Sequence, residues 1–186
     1  LAAKLAAAGQ DVSAVARGPN LEALRSAGIA LREGDLTYAG RLRASDNAAD
    51  LGTQDVVFVT TKATVLAAVA GAVPALSHAE TLFVFVQNGI PWWYAQGMEG
   101  GSGASRPRPP NLARLDPGGL LAGAVPSEQV LGAVVYSSNN LDAPGRVTNF
   151  SVGRNMLVVG RPDDRDSARV AALRALLIAA GLHSPA

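Results

Sequence analysis

The sequence contains no cysteine, and its 186 residues include only two histidines, His78 and His183. The absence of cysteine excludes a disulfide framework, a thiol nucleophile and cysteine-based metal sites, and it is typical of a reducing compartment. Two imidazoles in expected loops also argue against a histidine-based metal centre or a serine triad. We therefore expect no metal site in this chain.

An excess of charge and a long hydrophobic run are also missing. The formal net charge is +1, so no basic surface is expected to attract nucleic acid or an anionic membrane. The most apolar stretch, residues 56–76, is interrupted by Lys62 and Pro74 and does not reach the ~18 residues of a membrane helix. With 48% hydrophobic and 17% charged residues, the chain is expected to be one globular cytoplasmic domain.

Short apolar strands alternate with helical patterns along most of the chain. Continuous apolar runs such as DVVFVTT are typical of strands that helices cover on both faces. The alternation predicts an α/β fold with a mostly parallel, doubly wound sheet. The expected strands are residues 11–16, 55–61, 81–89 and 130–138, a hairpin is expected over 29–33 and 38–43, a meander over 146–150 and 156–160, and helices over 1–8, 19–28, 62–74 and 164–180.

Residues 97–112 are rich in glycine, serine and proline and are predicted to form a flexible loop. No internal repeat is present, and 186 residues suit one ordinary domain, so the whole range 1–186 is interpreted as a single domain.

Three of the expected strands end in polar residues. Arg17 follows the first, Lys62 follows DVVFVTT, and Gln87 and Asn88 follow TLFVFV. Ligands of open parallel sheets bind beyond the carboxyl ends of the strands, so we expect these side chains to line one mouth.

Each of these residues has two interpretations. Arg17, with no acidic residue before Glu22, suits the 2′-phosphate of NADP, but it is also a common surface residue at a turn. Lys62 before an apolar helix either binds an anion or extends its stem to water. Asn88 can hold a carboxamide, a ribose hydroxyl or a keto acid, although Asn-Gly is also a turn signal.

A resemblance is carried by the order and spacing of five segments: LAAKLAAAGQDVSAVARG, DVVFVTTKA, VFVQNGIPWWY, LGAVVYSS and APGRV. By these segments the chain resembles the ketopantoate reductases (2-dehydropantoate 2-reductases) over essentially its whole length. The resemblance implies a Rossmann-type fold and NADPH-dependent reduction of 2-dehydropantoate to pantoate in pantothenate biosynthesis. By position it implies cofactor contacts for Arg17, Lys62, Asn88 and Ser138, with Asn88 also near the keto acid substrate.

The sequence departs from the family in two places. In the family, a strand and a Gly-x-Gly-x-x-Gly turn come before the segment that matches residues 1–8. We expect the natural protein to be longer, or another segment or chain to fill that place, and a direct pairing of strands 11–16 and 55–61 would refute this. The family's catalytic lysine and glutamate belong to a helical second domain, so no catalytic residue is expected in these 186 residues.

Several alternatives stay open at the level of sequence. The chain could belong to a reductase of another 2-keto acid or of an opine-like substrate. It could instead be a non-catalytic NADP-binding module, or an α/β domain for a different nucleotide or an S-adenosyl compound. A homodimer is one assembly compatible with each of these interpretations.

Overall fold

The computed structural model describes residues 1–94, 96, 113–165 and 167–185. The chain divides into two compact units, of which the first comprises Leu1–Gly52, Tyr136–Val158 and Ala171–Ala186, and the second Thr53–Val135 and Val159–Val170. Helices and strands follow one another in the order α1 (Ala2–Ala7), β1 (Ser13–Val15), α2 (Gly18–Ala27), β2 (Ile29–Glu33), β3 (Leu36–Gly40), β4 (Arg43–Ser45), β5 (Val56–Val59), α3 (Ala67–Ala70), α4 (Val73–Leu76), β6 (Leu82–Val86), α5 (Leu120–Ala124), β7 (Val130–Tyr136), β8 (Asn139–Ala143), β9 (Arg146–Asn149), β10 (Met156–Gly160) and α6 (Ala168–Ala179).

The first unit contains a parallel pair and a mixed sheet. β1 pairs in parallel with β4, and the mixed sheet has the strand order β3-β2-β9-β8. The hairpin β2–β3 turns at Gly34, whose φ of +58° lies in the left-handed region that favours glycine. β9 then joins β2 in parallel, and β8 closes the sheet by antiparallel pairing with β9.

Helix α1 packs closely on the strand β3 because both surfaces carry small residues. A Cβ added at Gly40 would lie 2.6 Å from the Cβ of Ala6, so a side chain at this position would push the helix away. The alanine-rich sequence of α1 therefore serves close packing as well as helix propensity.

A buried polar chain crosses the interior of the first unit. The ammonium of Lys4 lies 2.6 Å from Oε2 of Glu33, and the two side chains are 4% and 6% exposed. Lys4 Nζ also donates to the carbonyl of Gly181 at 3.0 Å and lies 4.4 Å from the ring centroid of Tyr38. Oε1 of Glu33 accepts from Nδ2 of Asn155, so both carboxylate oxygens are engaged.

The second unit is built on β5, β6 and β7, which are parallel to one another. Its sheet has the order β10-β7-β6-β5, and the central strand β6 is almost completely inaccessible, with Phe83 and Val84 at 0% exposure. The hydrophobic core of this unit consists of Val59, Leu66, Val73, Phe83, Phe85, Trp92, Leu121, Val125 and Val130. The continuous apolar run of β6 thus reflects burial on both faces, as its sequence predicts. The same expectation is wrong for β5, which ends the sheet order and has three half-buried residues out of four.

The predicted α/β class and the mostly parallel pairing are confirmed. β1 pairs with β4, and β5 pairs with β6. Because β1 and β5 do not pair directly with each other, the expectation that a strand lies between them is not refuted. The hairpin prediction is correct for 29–33, but its second strand is β3, and residues 43–45 form the separate strand β4.

The prediction for residues 62–74 is wrong in its detail. A 3-10 turn, α3 and α4 replace the single expected helix, and Pro74 lies in the first turn of α4 instead of ending a helix. Proline is accepted there because the first amides of a helix need no intrahelical acceptor. The predicted flexible loop 97–112 lies outside the described residues.

The last helix begins at Ala168, four residues later than the sequence pattern suggests. Asp163 and Asp164 lie in the turn before it, where the carboxylate of Asp163 binds Arg161 instead of meeting helix amides. Among the described residues, no helix has the length and apolar composition needed to cross a membrane.

Candidate functional site

A pocket of about 290 Å³ opens at the carboxyl ends of β5 and β6 in the second unit. The strands are parallel and their last paired residues are Val59 and Phe85, so the segments that follow leave the sheet at the same edge. The pocket is lined by Thr60, Thr61, Lys62, Ala63, Val86, Gln87 and Asn88. The structure therefore brings two of the predicted site residues, Lys62 and Asn88, to the same pocket.

Lys62 is exposed, and its extended backbone (φ −64°, ψ 148°) leads into the 3-10 turn Ala63–Val65. Among the described residues, no carboxylate or carbonyl pairs with its ammonium group. The hydroxyls of Thr60 and Thr61 precede it on the same pocket wall. A lysine and two threonines that line one pocket suit a phosphate or a ribose, since both present oxygen acceptors.

Asn88 lies one position beyond Gln87, at the turn that follows β6. Its amide faces the main chain of Val135 at long range, with Nδ2 donating at 3.5 Å and Oδ1 accepting at 3.4 Å. Bonds of this length are weak, so a ligand can replace them at little cost. Gly89 follows with φ +100°, a conformation that turns the chain away from the strand and strains any other residue.

Two tryptophans hold the segment that follows Asn88 against the sheet. The ring of Trp92 packs edge-on against Phe85, with centroids 5.2 Å apart and planes at 80°. The indole of Trp93 covers Gly132 of β7 so closely that a Cβ at Gly132 would overlap the ring. The NGIPWW sequence therefore fixes the path of the chain beyond the pocket.

Arg17 belongs to the first unit, where it links β1 to α2. It is the residue before the first turn of α2, its backbone is extended, and its side chain is exposed. Among the described residues its guanidinium has no partner. Gly18, at φ +55°, and Pro19 make the tight change from strand to helix. This is the position expected for a residue that selects between dinucleotides, and the role stays a prediction.

Ser138 also lies in the first unit, just after β7, and it is exposed. Its backbone amide donates to Oγ of Ser151 at 2.9 Å, and its carbonyl accepts from the amide of Phe150 at 2.8 Å. The main chain of Ser138 is thus held by the loop after β9, and its role toward a cofactor stays a prediction. That Arg17 lines one mouth with Lys62 and Asn88 is likewise still a prediction.

The side chain of Asn155 extends the buried polar chain of the first unit toward this loop. Its Oδ1 accepts from Oγ of Ser137 at 2.6 Å and from Nδ2 of Asn149 at 2.7 Å. The sequence analysis did not find this arrangement, because an asparagine in a loop-rich segment gives no sign that it will be buried. Lys4 was missed for the same reason, since a lysine among alanines is typical of a solvent-facing helix.

Shifted ionisation occurs outside the pocket. The hydroxyl of Thr148 lowers the pKa of the Asp142 carboxyl by donating to it, and Asn140 adds a second hydrogen bond. Hydrogen bonding from Arg161 lowers the pKa of Asp163 and raises that of the arginine itself. Among the described residues, no group of histidine, aspartate and glutamate side chains could hold a metal ion.

Comparison with known proteins places this fold and these residues in context. A family model described as ketopantoate reductase PanE/ApbA matches residues 1–91. A 2-dehydropantoate 2-reductase of Mesorhizobium japonicum (strain LMG 29417 / CECT 9101 / MAFF 303099) is 38% identical over 186 residues, which are all of this chain and 55% of that protein.

Solved structures show the same similarity. A candidate ketopantoate reductase from Ralstonia solanacearum MolK2 is 37% identical, with a TM-score of 0.86 over 98% of this chain and 55% of the other. D-mandelate dehydrogenase, solved with NADH and anilino(oxo)acetate, shares the fold with a TM-score of 0.71 at 16% identity, over 99% of this chain and 51% of its own.

The chain spans about half the length of the relatives it matches. The similarity to the Mesorhizobium protein nevertheless extends over every residue of the chain, and the structural match covers nearly all of it. These findings show that the chain is similar over its whole length to about half of a ketopantoate reductase.

Proposed function

We propose that this chain is the cofactor-binding part of an enzyme that uses NADPH to reduce 2-dehydropantoate to pantoate, a step of pantothenate biosynthesis. The observation that carries the proposal is the pocket at the ends of β5 and β6, which Lys62 and Asn88 both line. The similarity to ketopantoate reductases supports the reaction class. Because the chain spans about half of its relatives, the activity is proposed for the protein and not for these residues alone.

The donor set of the pocket fits a nicotinamide dinucleotide. The unpaired ammonium of Lys62 and the hydroxyls of Thr60 and Thr61 suit phosphate and ribose oxygens, and the amide of Asn88 suits a hydroxyl, a carboxamide or the keto acid. When bound, the cofactor supplies a hydride to the ketone carbon. The residues of this chain contribute binding and orientation, with Asn88 placed to contact cofactor and substrate.

Arg17 is the residue that we assign to the 2′-phosphate of NADP. It lies between β1 and α2, and the next acidic residue along the sequence is Glu22. Its guanidinium has no partner in the part of the chain that the structure describes. A guanidinium binds a phosphate through two parallel hydrogen bonds, whereas a carboxylate at this position would favour the ribose hydroxyl of NAD. Ser138 is the fourth proposed cofactor contact.

Exchange of Arg17 tests the cofactor assignment. For Arg17→Asp in the polypeptide encoded by the whole gene, we expect kcat/KM with NADPH to fall about ten- to a hundredfold, because charge-assisted hydrogen bonds of about 1.5–3 kcal/mol are lost. The value with NADH should stay the same or rise. Arg25→Asp, at the other end of α2, is the matched control and should leave the ratio of the two cofactors unchanged. An unchanged ratio in Arg17→Asp would contradict the assignment.

A substrate panel tests the reaction. Pantoate formation from 2-dehydropantoate should exceed reduction of other 2-oxo acids by the same protein. The second candidate function is reduction of another 2-oxo acid, which a reversed preference would establish. Because the resemblance assigns the catalytic lysine and glutamate to a second, helical domain, we predict that these 186 residues alone do not catalyse the reduction. A cytoplasmic location and a homodimer are part of the same proposal.

A further inference from the structure

Gln87 joins the two strands that form the pocket. Its Nε2 donates to the carbonyl of Val59 at 2.7 Å and to the carbonyl of Thr61 at 3.1 Å. A primary amide carries two hydrogens on its nitrogen, so both are used by these bonds. The side chain is half-buried between the ends of β5 and β6.

The two carbonyls that Gln87 binds control the path of the chain to Lys62. Val59 is the last residue of β5 and pairs with Phe85 at the end of the ladder. Beyond this pair the segment 60–62 has no strand partner in the register, and Thr61 is the residue directly before Lys62. The amide of Gln87 therefore extends the connection between the strands past the point where backbone pairing ends.

We propose that Gln87 is a positioning residue: it fixes the Thr60–Thr61 turn and so holds the ammonium of Lys62 in the pocket for the cofactor. The inference rests on the proposed function, because it concerns the same pocket. Gln87 acts through the two carbonyls, since both of its amide hydrogens are already engaged. Lys62 depends on this support because no described residue holds its side chain.

Gln129 provides a matched comparison within the same unit. Its Nε2 also donates to two successive turn carbonyls, those of His78 at 2.9 Å and Ala79 at 3.0 Å. That turn precedes β6, whereas Gln87 follows it, so the two glutamines perform the same local task at opposite ends of one strand. Replacing Gln129 thus removes two similar hydrogen bonds away from the pocket, together with the one that its Oε1 accepts from Oγ of Ser77 at 3.4 Å.

The first experiment measures the turn itself. In the polypeptide encoded by the whole gene, Gln87→Met removes both donors at nearly constant volume. The amides of Val65 and Leu66 donate to the carbonyls of Lys62 and Ala63 at 3.0 and 3.3 Å, directly after the turn. We expect their hydrogen exchange to become at least about tenfold faster, because the turn loses two hydrogen bonds of about 1 kcal/mol each. Gln129→Met should leave exchange of Val65 and Leu66 unchanged. Equal exchange of these two amides in Gln87→Met and the parent would overturn the proposal.

The second experiment measures coupling to Lys62. Gln87→Met should raise the Kd for NADPH, followed by its fluorescence, about tenfold, and Lys62→Met should do the same. In the Lys62→Met background, Gln87→Met should change the Kd less than twofold, since its effect passes through the lysine. Gln129→Met should lower stability without changing the Kd. Equal effects of Gln87→Met in both backgrounds would overturn the positioning role.

These outcomes separate this inference from the proposed function. A parent protein that binds no NADPH would refute the proposed function, and hydrogen exchange would still decide whether Gln87 fixes the turn. Normal NADPH binding with unchanged exchange in Gln87→Met would instead refute the inference alone.

Discussion

The buried pair of Lys4 and Glu33 makes the stability of the first unit sensitive to a single charge. At an N–O distance of 2.6 Å, the attraction amounts to about 6 kcal/mol at an effective dielectric constant of about 20. Removing both groups from water costs several kcal/mol for each ion, so the pair contributes little net stability. Removing one partner, however, leaves the other charge buried and uncompensated.

We predict that Lys4→Met lowers the free energy of unfolding by about 3–5 kcal/mol, the typical cost of breaking a buried pair. Part of this loss is the hydrogen bond to Gly181 and the contact with the Tyr38 ring. Among the described residues the ammonium is the only partner of Oε2 of Glu33, so no other group can take its place. The expected loss is a large fraction of the 5–15 kcal/mol that stabilises an ordinary domain.

Urea unfolding at neutral pH measures this change, with an unchanged m-value as the sign that the comparison is valid. Lys62→Met, at an exposed lysine, is the control and should stay within about 0.5 kcal/mol of the parent. The double variant Lys4→Met/Glu33→Gln should recover about 2 kcal/mol or more, because the uncompensated charge is gone. A loss below about 1 kcal/mol for Lys4→Met would refute the reasoning.

Two further predictions concern the second unit. Gly132→Ala should lower the free energy of unfolding by about 1–3 kcal/mol and change the tryptophan fluorescence, because the new methyl overlaps Trp93. The control Gly123→Ala, which has open space around it, should not destabilise the protein. Equal unfolding midpoints of Gly132→Ala and the parent would contradict the packing described. Because Arg161 lowers the pKa of Asp163, the stability that this carboxylate contributes is present above the ordinary aspartate range and is lost as the pH falls below it. Asp163→Asn should therefore have a lower Tm than the parent at neutral pH and a similar Tm at about pH 2. A difference in Tm that stays constant with pH would show that the ionised carboxylate is not its cause.

The polar ends of the strands were the most informative part of the sequence for the site. Lys62 and Asn88 each follow a continuous apolar run, and parallel pairing of β5 and β6 brings them to one pocket as expected. Gln87 was recognised as part of this edge, but its bonds to Val59 and Thr61 were not, because sequence gives no register between strands.

Local sequence signals were less reliable where the same residues are compatible with two different local structures. Pro74 is compatible with the end of one helix or the first turn of the next, and only the packing of Leu66 and Val73 into one core selects the second arrangement. The same holds for Arg43, the last residue of the expected hairpin strand 38–43, which lies in β4 and pairs with β1 instead. The structure of such short elements depends on the strands and helices against which they pack.

The sequence by itself determined the α/β class, the buried strand β6, the resemblance to ketopantoate reductases and the residues at the strand ends, because these depend on hydrophobic periodicity and on the order of motifs along the chain. Only the tertiary structure decided that Lys4 and Glu33 are buried together and that the amide of Gln87 binds the last carbonyl of β5 and the carbonyl of Thr61 beyond it. The physical reason is that burial and hydrogen-bond partners arise between residues distant in the chain, where the local pattern carries no information about distance.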